Sequence, residues 1–548
     1  MPLWFVLFIS LLAVLLPGLS GCGGSSPNNS TRIPAGSPQA SLTVPLNGLF
    51  EKTFNWDSSA YTNPWEQAQL SVSFTAPSGK STTVGGFFET TNTWGVRFSP
   101  SEPGTWSWQS SFIDNFQKNI KSSGTFTVTV SGLPGFVKQN PTNPFRWILS
   151  DGSPYYPLGI AECIQDTDKS GTPMDNWGFD GGFRSPGSPD YGSITDGDTY
   201  FRAYSQAGVN LFRWSPENCA FKLYQTISPN ENVYLVQEGL WGDQLVAKLR
   251  QYNFKIYMNF FGFNPAYSSN ADDPNKMNAV KRYVKYIVDR YGAVVDFWEL
   301  MNEAPGANVL VDEGWYTQIA AYIRSIDPYQ HPISTSWERP DLSVIDISSP
   351  HWYQSESEFE SDRVTWNNFA QWKSAGKPVI LGEQGNNNQN WDARSALRMR
   401  LRSWTAFFAE GAFIFWNSSF AKDYKTPVAA NIYLGPAERG YLKVLQDFTK
   451  GLDSGVRVAS LTISNPGKVR GYALSSPSLF VAYLHAYTDH TNLTSGIRIS
   501  FQGPVSGTAT WTNPATGTTL ASQSLLLGNQ TLNVPAFTTD IALKVTGS

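Results

Sequence analysis

Two glutamates close apolar runs that read as buried strands. The run VVDFWELMN leads into Glu303, with Asn302 just before it, and PVIL leads through Gly382 into Glu383. A carboxylate at the end of a buried strand loses solvent and persists only if it is paired, hydrogen-bonded or employed. Two carboxyl groups facing each other across a sugar-sized mouth are the equipment for glycoside hydrolysis, one as acid and the other as nucleophile or base. A retaining reaction needs them about 5–5.5 Å apart and an inverting one about 6.5–9.5 Å. The plainer alternative makes both of them ion-pair members, with Arg213 as an obvious partner.

The elements that would position them alternate. From about 137 to 450, short continuous apolar runs are each followed by a longer segment at helical period, the pattern of parallel strands with helical crossovers. Eight strand candidates follow in order: YYPLGIAEC, VNLFRW, FKIYMNF, VVDFWELMNE, PISTSW, VIDISSPHWY, PVILGE and AFIFW. Helical period is carried by MNAVKRYVKYIVDRY, EGWYTQIAAYIRSID, ARSALRMRLRSWTAFFAEG and ERGYLKVLQDFTKGL. Eight such repeats predict a (β/α)8 TIM barrel over 137–452, with its active site at the C-terminal ends of the strands. The Gly- and Asp-rich stretch 164–197 reads as a lip over that mouth. On either side, segments 41–135 and 455–548 show period-two patterning with Gly and Pro punctuation. The fold class expected is therefore multidomain, α/β and all-β, a barrel flanked by two β-sandwich domains.

Segment 137–450 resembles the clan of retaining glycosidases that includes glycoside hydrolase family 5. The run Trp298-Glu299-Leu300-Met301-Asn302-Glu303-Ala304-Pro305 is similar to that clan's Asn-Glu-Pro signature, with Ala304 intervening before the proline. The resemblance implies that Glu303 is the acid/base, Glu383 the nucleophile, and Asn302 the holder of the sugar's 2-hydroxyl. It also implies that Arg213 orients the nucleophile, that His351 and Tyr353 line the reaction centre, and that Trp416 is a platform beneath the sugar. GVRFSPSEPGTWSWQSSF resembles the sandwich that often precedes such a barrel, and ATWTNPATGT the sandwich that closes related enzymes. Glu299 lies four residues before Glu303, about 13 Å deeper along an extended strand, and reads as a buried structural charge. Glu162 and Glu217 are expected to face solvent or make a secondary substrate contact.

The chain's beginning reads as an address. Residues 1–21 hold an apolar stretch, LWFVLFISLLAVLL, too short to span a bilayer and suited to a signal peptide. Leu19-Ser20-Gly21-Cys22 resembles the lipobox of bacterial lipoproteins, which implies lipidation at Cys22 and an extracytoplasmic, membrane-anchored protein; no Lys or Arg precedes Cys22. Residues 22–40 read as a flexible tether.

Composition narrows the partners. Of 548 residues only 15% are charged, the net charge is −4, and no basic run occurs, which speaks against nucleic acid. Aromatic residues make up 14%, and four histidines leave little for a metal cluster, so no cofactor is expected. Cys163 and Cys219, near the ends of neighbouring strands, could pair in an oxidising compartment. The expected partner is a carbohydrate, either hydrolysed at β-linkages or, as the rival reading, only bound by a scaffold that keeps the barrel without turnover.

Overall fold

The computed structural model describes residues 42–547 except 117–118, 163, 167–176, 180–196, 217–219, 229–230, 263–270, 304–310, 337, 354–355, 386–393, 417–431, 433 and 504–505. Cys22, Cys163, Cys219, Glu217 and most of 164–197 therefore lie outside the described residues.

All eight anticipated strand positions form strands: β1 (Gly159–Ala161), β2 (Leu211–Trp214), β3 (Lys255–Asn259), β4 (Phe297–Glu299), β5 (Ile333–Ser334), β6 (His351–Tyr353), β7 (Val379–Gly385) and β8 (Gly411–Trp416). They form one sheet in the order β5-β4-β3-β2-β1-β8-β7-β6, and every pairing in it is parallel. Because β1 pairs with both β2 and β8, the first and last strands of the run are neighbours and the sheet curls on itself. Among the described residues no ladder joins β5 to β6. There the Tyr257 phenol of β3 reaches across, hydrogen-bonding Ser334 of β5 and, at 3.1 Å, Ser349 just before β6.

The curl explains why the strands read as unbroken apolar runs. One face encloses Ala161, Leu211, Tyr257, Phe297, Ile380, Ile414 and Trp416. The other carries Phe212, Trp214, Met258, Trp298, Leu381 and Phe413 against the helices. Those helices are α1 (Gly197–Gln206), α2 (Val236–Gln251), α3 (Pro274–Tyr291), α4 (Glu313–Ile326), α5 (Ser361–Trp372), α6 (Ser395–Phe408) and α7 (Pro436–Thr449). α3 shows how sequence sets their start: Asp273 accepts from the backbone N–H of Asn275 and Lys276, and Pro274 occupies the first turn. Met277, Val280, Tyr283, Val284 and Ile287 then form its buried stripe.

Before the curled sheet, a five-stranded and a three-stranded sheet share one core in which Phe50, Leu70, Phe74, Trp94, Phe98 and Phe126 meet. After it, a six-stranded and a three-stranded sheet enclose Phe480, Phe501, Trp511, Ile541 and Leu543. Both additions are bolted on by buried charges. Arg97 of the first pairs with Asp243 of α2 at 2.9 Å, and Asp540 of the last takes a two-pronged contact from Arg400 of α6 at 3.0 and 2.8 Å. Asp362 of α5 is fully buried between Arg470, Tyr472 and His485.

Strand β4 is anchored from behind by Asp327, which accepts from Trp298 Nε1 (3.0 Å) and contacts His331 Nδ1 (2.8 Å). Burial would raise its pKa, but the His331 charge and these hydrogen bonds outweigh that and bring it down to about 2 from 3.8. A depressed carboxylate adds stability above its unfolded pKa and loses it as pH falls through the folded value. Asp327→Asn should therefore cost about 2 kcal/mol at neutral pH, and the difference from wild type should shrink between about pH 4 and pH 2. Denaturant unfolding across that range checks both.

Candidate active site

The two glutamates sit where the backbone departs from regularity. β7 carries one extra residue relative to β8, the register shifting between Leu381 and Gln384, so that Gly382 and Glu383 lie in a bulge. A bulge re-aims a side chain that a regular strand would send elsewhere. β4 ends at Glu299 instead of running on to Glu303. The chain beyond it is held by backbone bonds from Leu300 N–H to Ser334, from Asn302 N–H to Gly262, and from Ser336 N–H to Met301. Glu303 then takes φ +49°, a left-handed conformation that costs a non-glycine residue about 1 kcal/mol or more.

Arg213, at the end of β2 and 2% exposed, ties the residues together. Its Nε and Nη2 donate to the two oxygens of Glu299 at 2.7 and 3.0 Å, its Nη1 to Glu383 Oε1 at 2.8 Å, and its Nη2 also to Asn302 Oδ1 at 2.7 Å. With Oδ1 committed to Arg213, the amide nitrogen is the end of Asn302 suited to donating to a ligand. Burial alone would weaken the guanidinium's hold on its proton, but Glu299 and Glu383 raise its pKa overall.

The other oxygen of Glu383 accepts from the Tyr353 hydroxyl. Burial, followed by the Glu383 charge, pushes that phenol well above its usual range, so it stays a donor. His351, one strand away and in register with Glu383, places Nδ1 2.7 Å from Glu303 Oε1 and 3.5 Å from Glu383 Oε2. Burial tends to raise the Glu303 pKa, but the His351 hydrogen bond and charge, with Arg213 behind them, lower it overall. Desolvation, which by itself would raise it, is outweighed because His351 faces Glu303 directly.

Arg213, Asn302, Glu303, His351, Tyr353 and Glu383 thus form one connected constellation. Trp416, buried at the end of β8, lies in the apolar cluster inside the curl, against which Tyr353 packs. One oxygen from each glutamate and one nitrogen of His351 lie within 4.8 Å of one another, a spacing that could hold a cation. However, both Glu383 oxygens already accept from Arg213 and Tyr353, and Glu303 is engaged by His351. A metal would have to displace strong hydrogen bonds.

Two expectations need correction. Glu162 does not face solvent: it is 2% exposed and accepts from Tyr200 of α1 at 2.9 Å. Glu299 is buried as anticipated, at 0% exposure, but the extended-strand separation from Glu303 does not apply, because β4 stops at Glu299 and Arg213 joins Glu299 to Glu383 directly. Sequence reasoning overlooked Ser336, whose hydroxyl donates to Glu299, and Asn259, whose Oδ1 accepts from Gly262 N–H at 2.6 Å and fixes the turn that holds Asn302. The hydroxyls interrupting the apolar run PISTSW were the available clue to Ser336.

Residues 43–113 match a family described as a domain of unknown function, DUF5060. Among curated proteins, mannan endo-1,4-β-mannosidase A of Podospora anserina is 28% identical over 188 residues, covering 28% of this chain and 49% of that protein. An inferred mannan endo-1,4-β-mannosidase F of Aspergillus flavus is 28% identical over 197 residues, covering 30% of this chain and 42% of that protein. The chain thus spans less than half the length of the curated relatives it matches. Among solved structures, a candidate glycoside hydrolase from Bacteroides vulgatus shares the fold with a TM-score of 0.62 at 16% identity, covering 92% of this chain and 100% of that one.

The bulge leaves room for the histidine. A Cβ on Gly382 would stand 2.8 Å from His351 Nε2 and 2.9 Å from Ser349 Oγ. Gly382→Ala should therefore shift the His351 ring and destabilise the fold by about 1–3 kcal/mol, as overpacking does. Thermal unfolding together with the ring's 15N resonances checks this; an unmoved ring would contradict the packing described.

Proposed function

We propose that the chain is a retaining glycoside hydrolase acting on β-linked saccharides, built on a closed (β/α)8 barrel with a β-sandwich on each side. The observation that carries this reading is the pair of glutamates, each with a carboxylate oxygen within 4.8 Å of the other and of His351. A separation of that order is in keeping with the roughly 5–5.5 Å of a retaining pair, as against the roughly 6.5–9.5 Å of an inverting one.

In the first step the protonated Glu303 gives its proton to the glycosidic oxygen while a Glu383 oxygen attacks the anomeric carbon, forming a glycosyl-enzyme ester and releasing the leaving sugar as an alcohol. In the second, Glu303 takes a proton from water, whose oxygen attacks the same carbon and expels Glu383. Arg213 and Tyr353 hold Glu383 by one oxygen each, which orients it. The contact with His351 Nδ1 holds the Glu303 carboxyl below its usual range. A bound saccharide that excludes water deepens desolvation, which favours the protonated form of the Glu303 carboxyl that the first step needs. Asn302 and Trp416 would meet a sugar hydroxyl and a sugar face. β-Mannan is the first substrate to test, because the matched fungal proteins carry mannan endo-1,4-β-mannosidase names.

Glu303→Gln should lower kcat by about 10²–10⁴-fold, the usual contribution of a general acid–base. Glu383→Ala should lower it by more than about 10⁴-fold, as loss of a nucleophile does, both with wild-type unfolding curves. Proton NMR of the first-formed product should show the anomeric configuration kept, and an inverted product would overturn the two-step chemistry. We also place the protein outside the cytoplasm, anchored through a lipid on Cys22. Cys22→Ser should then move it from the membrane fraction to the soluble one, and an unchanged distribution would remove the anchor.

A further inference from the structure

Glu299 takes no part in the bond changes above, yet it holds more of Arg213 than Glu383 does. It is fully buried, receives two of the guanidinium's N–H groups, and is pinned from the other side by the Ser336 hydroxyl. Taking the proposed hydrolase as given, we infer that Glu299 is a positioning residue for the nucleophile: it fixes the angle at which Arg213 meets Glu383 and divides the guanidinium's positive charge between two carboxylates.

The geometric half follows from the shape of the cation. A guanidinium is a rigid planar fork, so holding its Nε and Nη2 edge determines where Nη1 points. Nη1 is the group that reaches Glu383 Oε1, and Nη2 is shared with Asn302, so a tilt of the plane would disturb both contacts.

The electrostatic half follows from counting charges. The groups facing this cation across the curl are the carboxylates of Glu299, Glu383 and Glu303, the His351 ring, and the phenols of Tyr353 and Tyr257. A lone Arg–Glu383 pair would hold the nucleophile's electrons more firmly and slow its attack on carbon. With Glu299 sharing the cation, the cluster of Arg213 and its two carboxylates keeps a net negative charge beside a sugar carbon that becomes positive in the transition state. A carboxylate placed only to satisfy Arg213 would bring stability without tuning the rate.

The test is Glu299→Gln beside Glu299→Asp, using steady-state kinetics against pH on a β-linked substrate that the wild type cleaves. Glu299→Gln keeps the shape and removes the charge. It should lower kcat by about tenfold or more with little change in KM, and move the acid limb of the kcat/KM profile down by about one pH unit. Glu299→Asp keeps the charge but is too short to hold both nitrogens. It should lower kcat while leaving the acid limb in place, and it serves alone should the glutamine variant fail to fold. A Glu299→Gln enzyme with wild-type kcat and pH profile would overturn the inference while leaving the proposed hydrolase standing, as would a Glu299→Asp enzyme with wild-type kcat. A wild type inert on all β-glucans, mannans, xylans and galactans would instead overturn the hydrolase, and this inference with it.

Discussion

The constellation depends on a single buried guanidinium answering two carboxylates and an amide. Arg213 stands almost without solvent, where an unpaired cation would be expensive and where each of its partners would in turn be expensive alone. Removing the guanidinium would leave two buried carboxylates without their shared counter-charge. The curled sheet makes the grouping possible: β2, β4 and β7 are not all neighbours in the ladder, yet all three send a side chain inward at the same height. The fold is thus a device for bringing like charges closer than water would allow and seating one counter-charge among them.

The regular backbone of that sheet does not by itself aim the glutamates. An extra residue in β7 turns Glu383, and a left-handed residue beyond β4 turns Glu303. Both departures cost local stability, and both are held by neighbours: Gly382 provides clearance for the His351 ring, and Asn259 and Gly262 clamp the turn that carries Asn302. Irregularity concentrated at two points, with ordinary parallel strands elsewhere, fits a scaffold that carries strain only where side chains must converge.

The eight strands were legible because a sheet buried on both faces demands uninterrupted apolar runs, and the four helices with clear stripes were legible for the related reason that each buries one side. α1, α2 and α5 were not: GDTYFRAYSQ and SDRVTWNNFAQW mix aromatic and polar residues, and their helical state is settled by packing against the outer face of the sheet. The site residues, and Arg213 as a partner for the glutamates, could be anticipated from strand ends. The contacts of Glu299 with Arg213 and with Ser336 could not, because they join segments far apart in the chain, and a period carries no information about them. The direction of the Glu303 shift is illegible in the sequence for the same reason: it turns on one imidazole contributed by another strand.

The seam between β5 and β6, where no ladder forms among the described residues, is held differently from the rest of the sheet. Elsewhere the circumference is stitched by main-chain bonds that share load along their length, whereas at this seam a phenol on β3 clasps two serine hydroxyls. A clasp of side chains can loosen without unzipping a strand pair. Since β6 bears His351 and Tyr353, this side-chain seam lies directly beside the groups that hold the two carboxylates.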